Sequence, residues 1–92
     1  IHKTFSLGLP YLTRFPATLV GILVQLVRFG PMNEQEITKT LCLGVPETRR
    51  HMHFLVAAGL VEPIASNKQA LGIPADLRPL VFQSLRAMGA IQ

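Results

Sequence analysis

The longest apolar run in the chain is PATLVGILVQLVRF, Pro16 to Phe29. Nearly every side of this segment is apolar at helical spacing, and such helices are buried on more than one face. Pro16 suits a first helical turn, where its missing N–H costs nothing. Gly30-Pro31 stops the run, so a helix is predicted over 16–29. The next segment, MNEQEITKTL, alternates differently. Asn33 is a good N-cap, Glu36 completes a capping box three residues on, and Met32 and Ile37 hold the hydrophobic-staple positions. A short helix is predicted over 33–41, with Ile37 and Leu41 facing the core. After the turn at Cys42-Leu43-Gly44, Gly44 can cap a third helix over 45–58. Gly59 then stands where a left-handed residue ends a helix. LVEPIA and ALGI are two β-prone runs around SNKQ, where Ser66 and Asn67 favour a turn. They predict a hairpin over 60–73, with Pro63 confining its strand to an edge. Asp76 can cap a last helix over 76–88, with Leu77, Leu80, Val81, Leu85 and Met88 on one stripe and Gly89 ending it. Residues 1–13, IHKTFSLGLPYLT, are broken by Gly8 and Pro10 and read as an arm or short strand.

The order is helix, short helix, turn, helix, hairpin, helix, within one domain covering 1–92. It predicts a mainly α fold with a small β-hairpin: a winged helix-turn-helix of about four helices plus a short two-stranded wing.

The stretch Glu36 to Val61, EITKTLCLGVPETRRHMHFLVAAGLV, resembles the winged helix-turn-helix superfamily, and in particular the ArsR/MarR/GntR-like DNA-binding domains of bacterial and archaeal regulators. Their pattern reads roughly E-apolar-A-x-x-L-G-L-S-x-x-T-V-x-R-H-L-x-x-L-x-x-A-G-L-V. Glu36, Ile37, Leu41, Leu43, Arg50, His51, Met52, Leu55 and Ala58-Gly59-Leu60-Val61 fall on matching positions without a gap. Four departures stand out. Cys42 replaces a turn Gly, Gly44 replaces a Ser cap, Thr48 replaces a core Val, and Val56-Ala57 replace positions that are commonly charged. The resemblance implies duplex DNA as partner, with the third helix in the major groove. It also implies a homodimer, or docking onto other domains of a parent protein, through helices 16–29 and 76–88.

Charge changes this picture little. Nine Lys/Arg against five Asp/Glu give +4, which suits a polyanion but is a modest field. The wing is the weak point, since Lys68 is its one cation and Glu62 opposes it, whereas phosphate affinity scales with the charges neutralised. Charged residues are 15% of the chain and hydrophobic ones 49%, against about 25% charged in an ordinary domain. Some apolar surface is therefore expected to meet a partner. The chain begins with Ile1, so a longer parent protein is expected.

The remaining chemistry is mostly exclusion. The uncharged stretch Phe15–Val27 is 13 residues, short of the about 20 a membrane-spanning helix needs. No leader peptide is expected at the start, which lacks a basic-then-apolar order. A single cysteine, Cys42, cannot form an internal disulfide, and a reducing cytoplasm is expected. Cys42 is expected as a small buried hydrophobe. His51 and His53 diverge by about 200° on a helix, so no metal site is expected. No nucleophile elbow, phosphate-cradling Gly-rich loop or Cys-x-x-Cys appears, so neither an enzyme nor a cofactor is expected.

Function then rests on the third helix. Thr48, Met52, Leu55 and Gly59 share its core side. Pro46, Arg49, Arg50, His53 and Ala57 lie roughly opposite, with Glu47 and Phe54 on a flank. The candidate DNA-binding residues are Pro46, Glu47, Arg49, Arg50, His53 and Lys68. Arg can pair bidentately with guanine or clamp phosphate, and Glu can accept from a cytosine amine. Adjacent arginines on a helix are as often only a solvated face, and Phe54 and Val56 sit oddly in a groove-binding helix. The second function class therefore stays open at this point: a winged helix used for protein–protein interaction or oligomerisation inside a larger assembly.

Overall fold

The computed structural model describes residues 14–64 and 67–91, without the side chains of Asn67 and Lys68. The arm expected over 1–13, and the hairpin tip with Ser66, lie outside the described residues. Within them the order is α1 (Ala17–Phe29), β1 (Met32–Asn33), α2 (Glu34–Leu41), α3 (Val45–Ala57), β2 (Glu62–Ile64), β3 (Asn67–Gly72) and α4 (Arg78–Ala87). This is a mainly α domain with a small antiparallel β wing, in the element order of a winged helix-turn-helix.

The helix boundaries follow local chemistry. Pro16 is the N-cap of α1, and Gly30 ends it at φ 81° with its N–H on the Leu26 carbonyl. One wide stripe of α1, Leu19, Ile22, Leu23 and Leu26, is buried. Val20, Val24 and Val27 are half-buried and pack against the same core, so beside its fully buried face α1 keeps a partly open flank. At the start of α2 the capping box forms fully. Glu36 N–H donates to Asn33 Oδ1 at 2.8 Å, and Asn33 N–H donates to Glu36 Oε1 at 2.9 Å. Met32 and Ile37 are both buried beside it. Asn33→Ala is expected to cost about 1 kcal/mol, lowering the melting temperature by about 4–8 °C in a calorimetric or circular-dichroism melt.

The turn between α2 and α3 departs from expectation. Cys42 takes a left-handed conformation, φ 56° and ψ 42°, as the C-cap of α2. This conformation sits at the outer corner of the turn and leaves Cys42 exposed, not buried as its composition suggested. A side chain there is strained by roughly 1–2 kcal/mol, partly offset by glycine's greater entropy when unfolded. Cys42→Gly is therefore expected to raise stability by up to about 1 kcal/mol; a denaturant midpoint that falls would contradict this reading.

Gly44 is the N-cap of α3, as expected, with Pro46 in the first turn. The far end is a Schellman motif. Gly59, at φ 79°, donates to the Val56 carbonyl, and Leu60 donates to the Leu55 carbonyl, each at 3.0 Å. Leu55 and Leu60 are buried against the same core, the apolar contact that accompanies this motif. Helix α4 ends the same way, with Gly89 donating to Arg86 and Ala90 to Leu85. Its start corrects the sequence reading. The helix begins at Arg78, and Asp76 does not cap it. The Pro74 carbonyl already accepts from Leu77 N–H at 2.9 Å and Arg78 N–H at 3.0 Å, and Pro79 has no N–H to satisfy.

The sheet is larger than the hairpin expected over 60–73. Three strands lie in the order β1-β3-β2, all antiparallel, with Met32 opposite Leu71 and Asn33 opposite Ala70. Pro63 does lie on an edge strand, beside an irregularity between Pro63 and Ile64. Strand β3 starts at Asn67, so one of the two turn formers belongs to the strand. Two residues, Met32 and Asn33, are too few for alternation to reveal, which is why β1 escaped the sequence.

The core gathers Ile22, Leu23 and Leu26 from α1, Ile37 from α2, Met52 and Leu55 from α3, and Val81 and Leu85 from α4. Leu60, Val61, Ile73 and Ile91 close it from the connections. Thr48 is the one buried polar residue in this set. Its hydroxyl meets the Thr38 hydroxyl at 2.8 Å. The Glu34 carbonyl is 2.7 Å from Thr38 Oγ1, and the Gly44 carbonyl is 3.1 Å from Thr48 Oγ1. Two hydroxyl protons thus serve three contacts, and the pair fixes α3 against α2 while keeping the buried hydroxyl satisfied.

Candidate nucleic-acid interface

Because Thr48, Met52 and Leu55 point α3 into the core, the helix must show its other side to solvent. Pro46, Arg49, Arg50, His53 and Ala57 are all exposed there, and Glu47 is half-buried. Gly59, assigned to the core side from spacing, lies beyond the helix and is exposed.

The charges on this face are not equivalent. Arg49 Nε lies 3.4 Å from Glu34 Oε1, with both side chains substantially exposed. The pair joins α3 to the first turn of α2 and is worth about 0–1 kcal/mol. Glu47 Oε2 lies 3.8 Å from His51 Nε2, one helical turn away, a pair that is ionic only when His51 is protonated. Glu47 therefore leans along its own helix rather than straight out. Arg50 makes no hydrogen bond or ion pair among the described residues. Among the described residues it is the unengaged arginine of the face. Glu34 is the neighbour that sequence reasoning missed. It lies in the first turn of α2, and nothing local in the sequence ties it to a residue fifteen positions later.

Phe54 finds a separate explanation. Its ring meets Phe15 edge-on, with centroids 5.6 Å apart and planes at 75°. It belongs to the seam between α3 and the lead-in to α1, off the outward face. Val45 and Val56 have no such cover. They are 52% and 41% exposed. Each borders an open recess beside α2. One, of about 260 Å³, holds Val45 with Thr38, Lys39 and Arg49. The other, of about 460 Å³, holds Val56 with His53, Gln69 and Leu71. Glu34 and Gln35 line both. On the wing, Glu62 is exposed on β2. Lys68 falls on β3, but its side chain lies outside the described residues.

No group of three metal-ligating side chains occurs among the described residues, and no helix there is long and apolar enough to cross a membrane. What the fold defines is a helix-turn-helix with a three-stranded wing, presenting an arginine-bearing third helix to solvent. Compared with known proteins, the chain matches no protein-family model, no curated protein and no solved structure.

Proposed function

We propose that this domain binds duplex DNA with α3 in the major groove, as the DNA-binding part of a cytoplasmic transcriptional regulator or DNA-processing protein. The observation that carries the reading is the joint exposure of Arg49, Arg50 and His53 on the outward face of the second helix of a helix-turn-helix. Pro46 and Ala57 beside them are compact, so the helix backbone can approach a groove closely. The resemblance of Glu36–Val61 to the winged helix-turn-helix superfamily points the same way. Binding of a labelled random-sequence duplex is expected to weaken steeply between about 50 and about 200 mM salt, because each phosphate contact releases counterions. A domain that binds no duplex at the lower salt concentration is not a DNA-binding domain.

A second reading has its own observation. The open flank of α1 forms an apolar surface groove of about 490 Å³, lined by Ala17, Val20 and Val24 with Phe15, Met88 and Ala90. Gln25 borders it with a buried Oε1 that has no hydrogen-bond partner among the described residues. This surface supports homodimerisation, or docking onto another domain, through α1 and α4. Light scattering that gives a strict monomer would remove the homodimer.

A further inference from the structure

We propose that Val45 and Val56 recognise thymine, by packing their exposed methyl groups against the thymine 5-methyl in the major groove. The inference rests on the DNA reading above and names what that face distinguishes. Val45, Arg49, His53 and Val56 follow one another at spacings of four, four and three, which places them along one flank of α3. At about 100° per residue they fall within about 80° of one another. The flank is thus two exposed β-branched side chains with cationic or titratable ones between them.

Three features favour base edges as the occupant. Arg49 and Lys39 line the recess at Val45, and Arg49 and His53 lie between the two valines along the flank, so the partner favoured is polyanionic. Glu34 stands beside the same flank, and a carboxylate there disfavours a phosphate and leaves room for a base edge instead. Both valines border open recesses into which a small apolar group fits without displacing side chains. Among the four bases only thymine shows a methyl group in the major groove. Phe54, the other large apolar residue exposed on α3, is engaged by Phe15 and takes no part.

The test starts with selection of the tightest duplex from a random pool. That duplex is then remade with uracil in place of thymine, which removes the 5-methyl groups alone. The parent is expected to bind the uracil duplex about fourfold more weakly for each methyl buried. The Val45→Ala/Val56→Ala variant is expected to bind the thymine duplex more weakly than the parent does and to treat the two duplexes alike. Since both positions are exposed, its melting temperature should stay near the parent's. Equal binding of the two duplexes by the parent overturns the inference, as does unchanged discrimination by the variant. A selection that enriches no sequence, with salt-dependent binding intact, overturns it while leaving DNA binding standing. Absence of salt-dependent binding to any duplex removes the DNA reading, and this inference falls with it.

Discussion

Leu85→Glu is expected to abolish folding, leaving no cooperative thermal transition. Leu85 and Leu23 have no solvent exposure within a single chain. Truncating a buried Leu to Ala costs about 2–5 kcal/mol, and an uncompensated buried carboxylate adds several more or must bind a proton to stay neutral. Domains have about 5–15 kcal/mol in total, and one of this size sits low in that range. Leu23→Glu should behave the same way. From spacing along α1 and α4 alone, these leucines serve equally well as the domain's own core or as a dimer seam, because periodicity reports which side is apolar and not what covers it. The structure separates the two roles. Val81 and Leu85 are buried in the core, whereas Leu80 and Met88 only pack partly against it. Val24→Glu, on the half-open groove of α1, is the contrasting variant. It should still melt cooperatively, and should reduce the mass in light scattering only if that groove pairs two chains. A Leu85→Glu protein that melts like the parent would mean that α4 does not pack as described.

What could be read from the sequence was what neighbouring residues decide among themselves. Asn33 and Glu36 cap α2 across three positions, Gly44 and Gly59 bound α3, and the spacing of Thr48, Met52 and Leu55 fixes which side of α3 is buried. The failures are equally physical. Asp76 looked like a cap because a turn-forming acid precedes an apolar stripe, yet the Pro74 carbonyl had already taken the available N–H groups. Cys42 looked buried by composition, but its place at a left-handed corner decides its exposure. Strand β1 is two residues that pair with a strand nearly forty positions away. The candidate site shows the same division. The outward set of Arg49, Arg50 and His53 follows from helical geometry. The Glu34–Arg49 pair and the Phe15–Phe54 contact follow from how helices cross, which no local pattern encodes.

That division decides how the DNA-binding variants should behave. The Arg49→Ala/Arg50→Ala variant is expected to bind duplex DNA about 10- to 100-fold more weakly than the parent near 100 mM salt, with a salt slope smaller by up to about 2. The two arginines should not contribute equally. Arg50 is unengaged among the described residues and reaches a phosphate or guanine edge without giving up a partner. Arg49 must first leave Glu34, and an exposed pair of this kind is worth about 0–1 kcal/mol. Arg50→Ala alone should therefore cost more affinity than Arg49→Ala, by up to about fivefold. Glu34→Gln should narrow the gap, since it frees Arg49 and removes a carboxylate that repels the backbone. Both arginines are exposed and outside the core, so these losses should come without a change in melting temperature. If the double variant keeps the parent's affinity and slope, α3 is not the element that meets DNA. The basic face would then be only a solvated surface, and the apolar groove on α1 would be left as the better guide to what this domain binds.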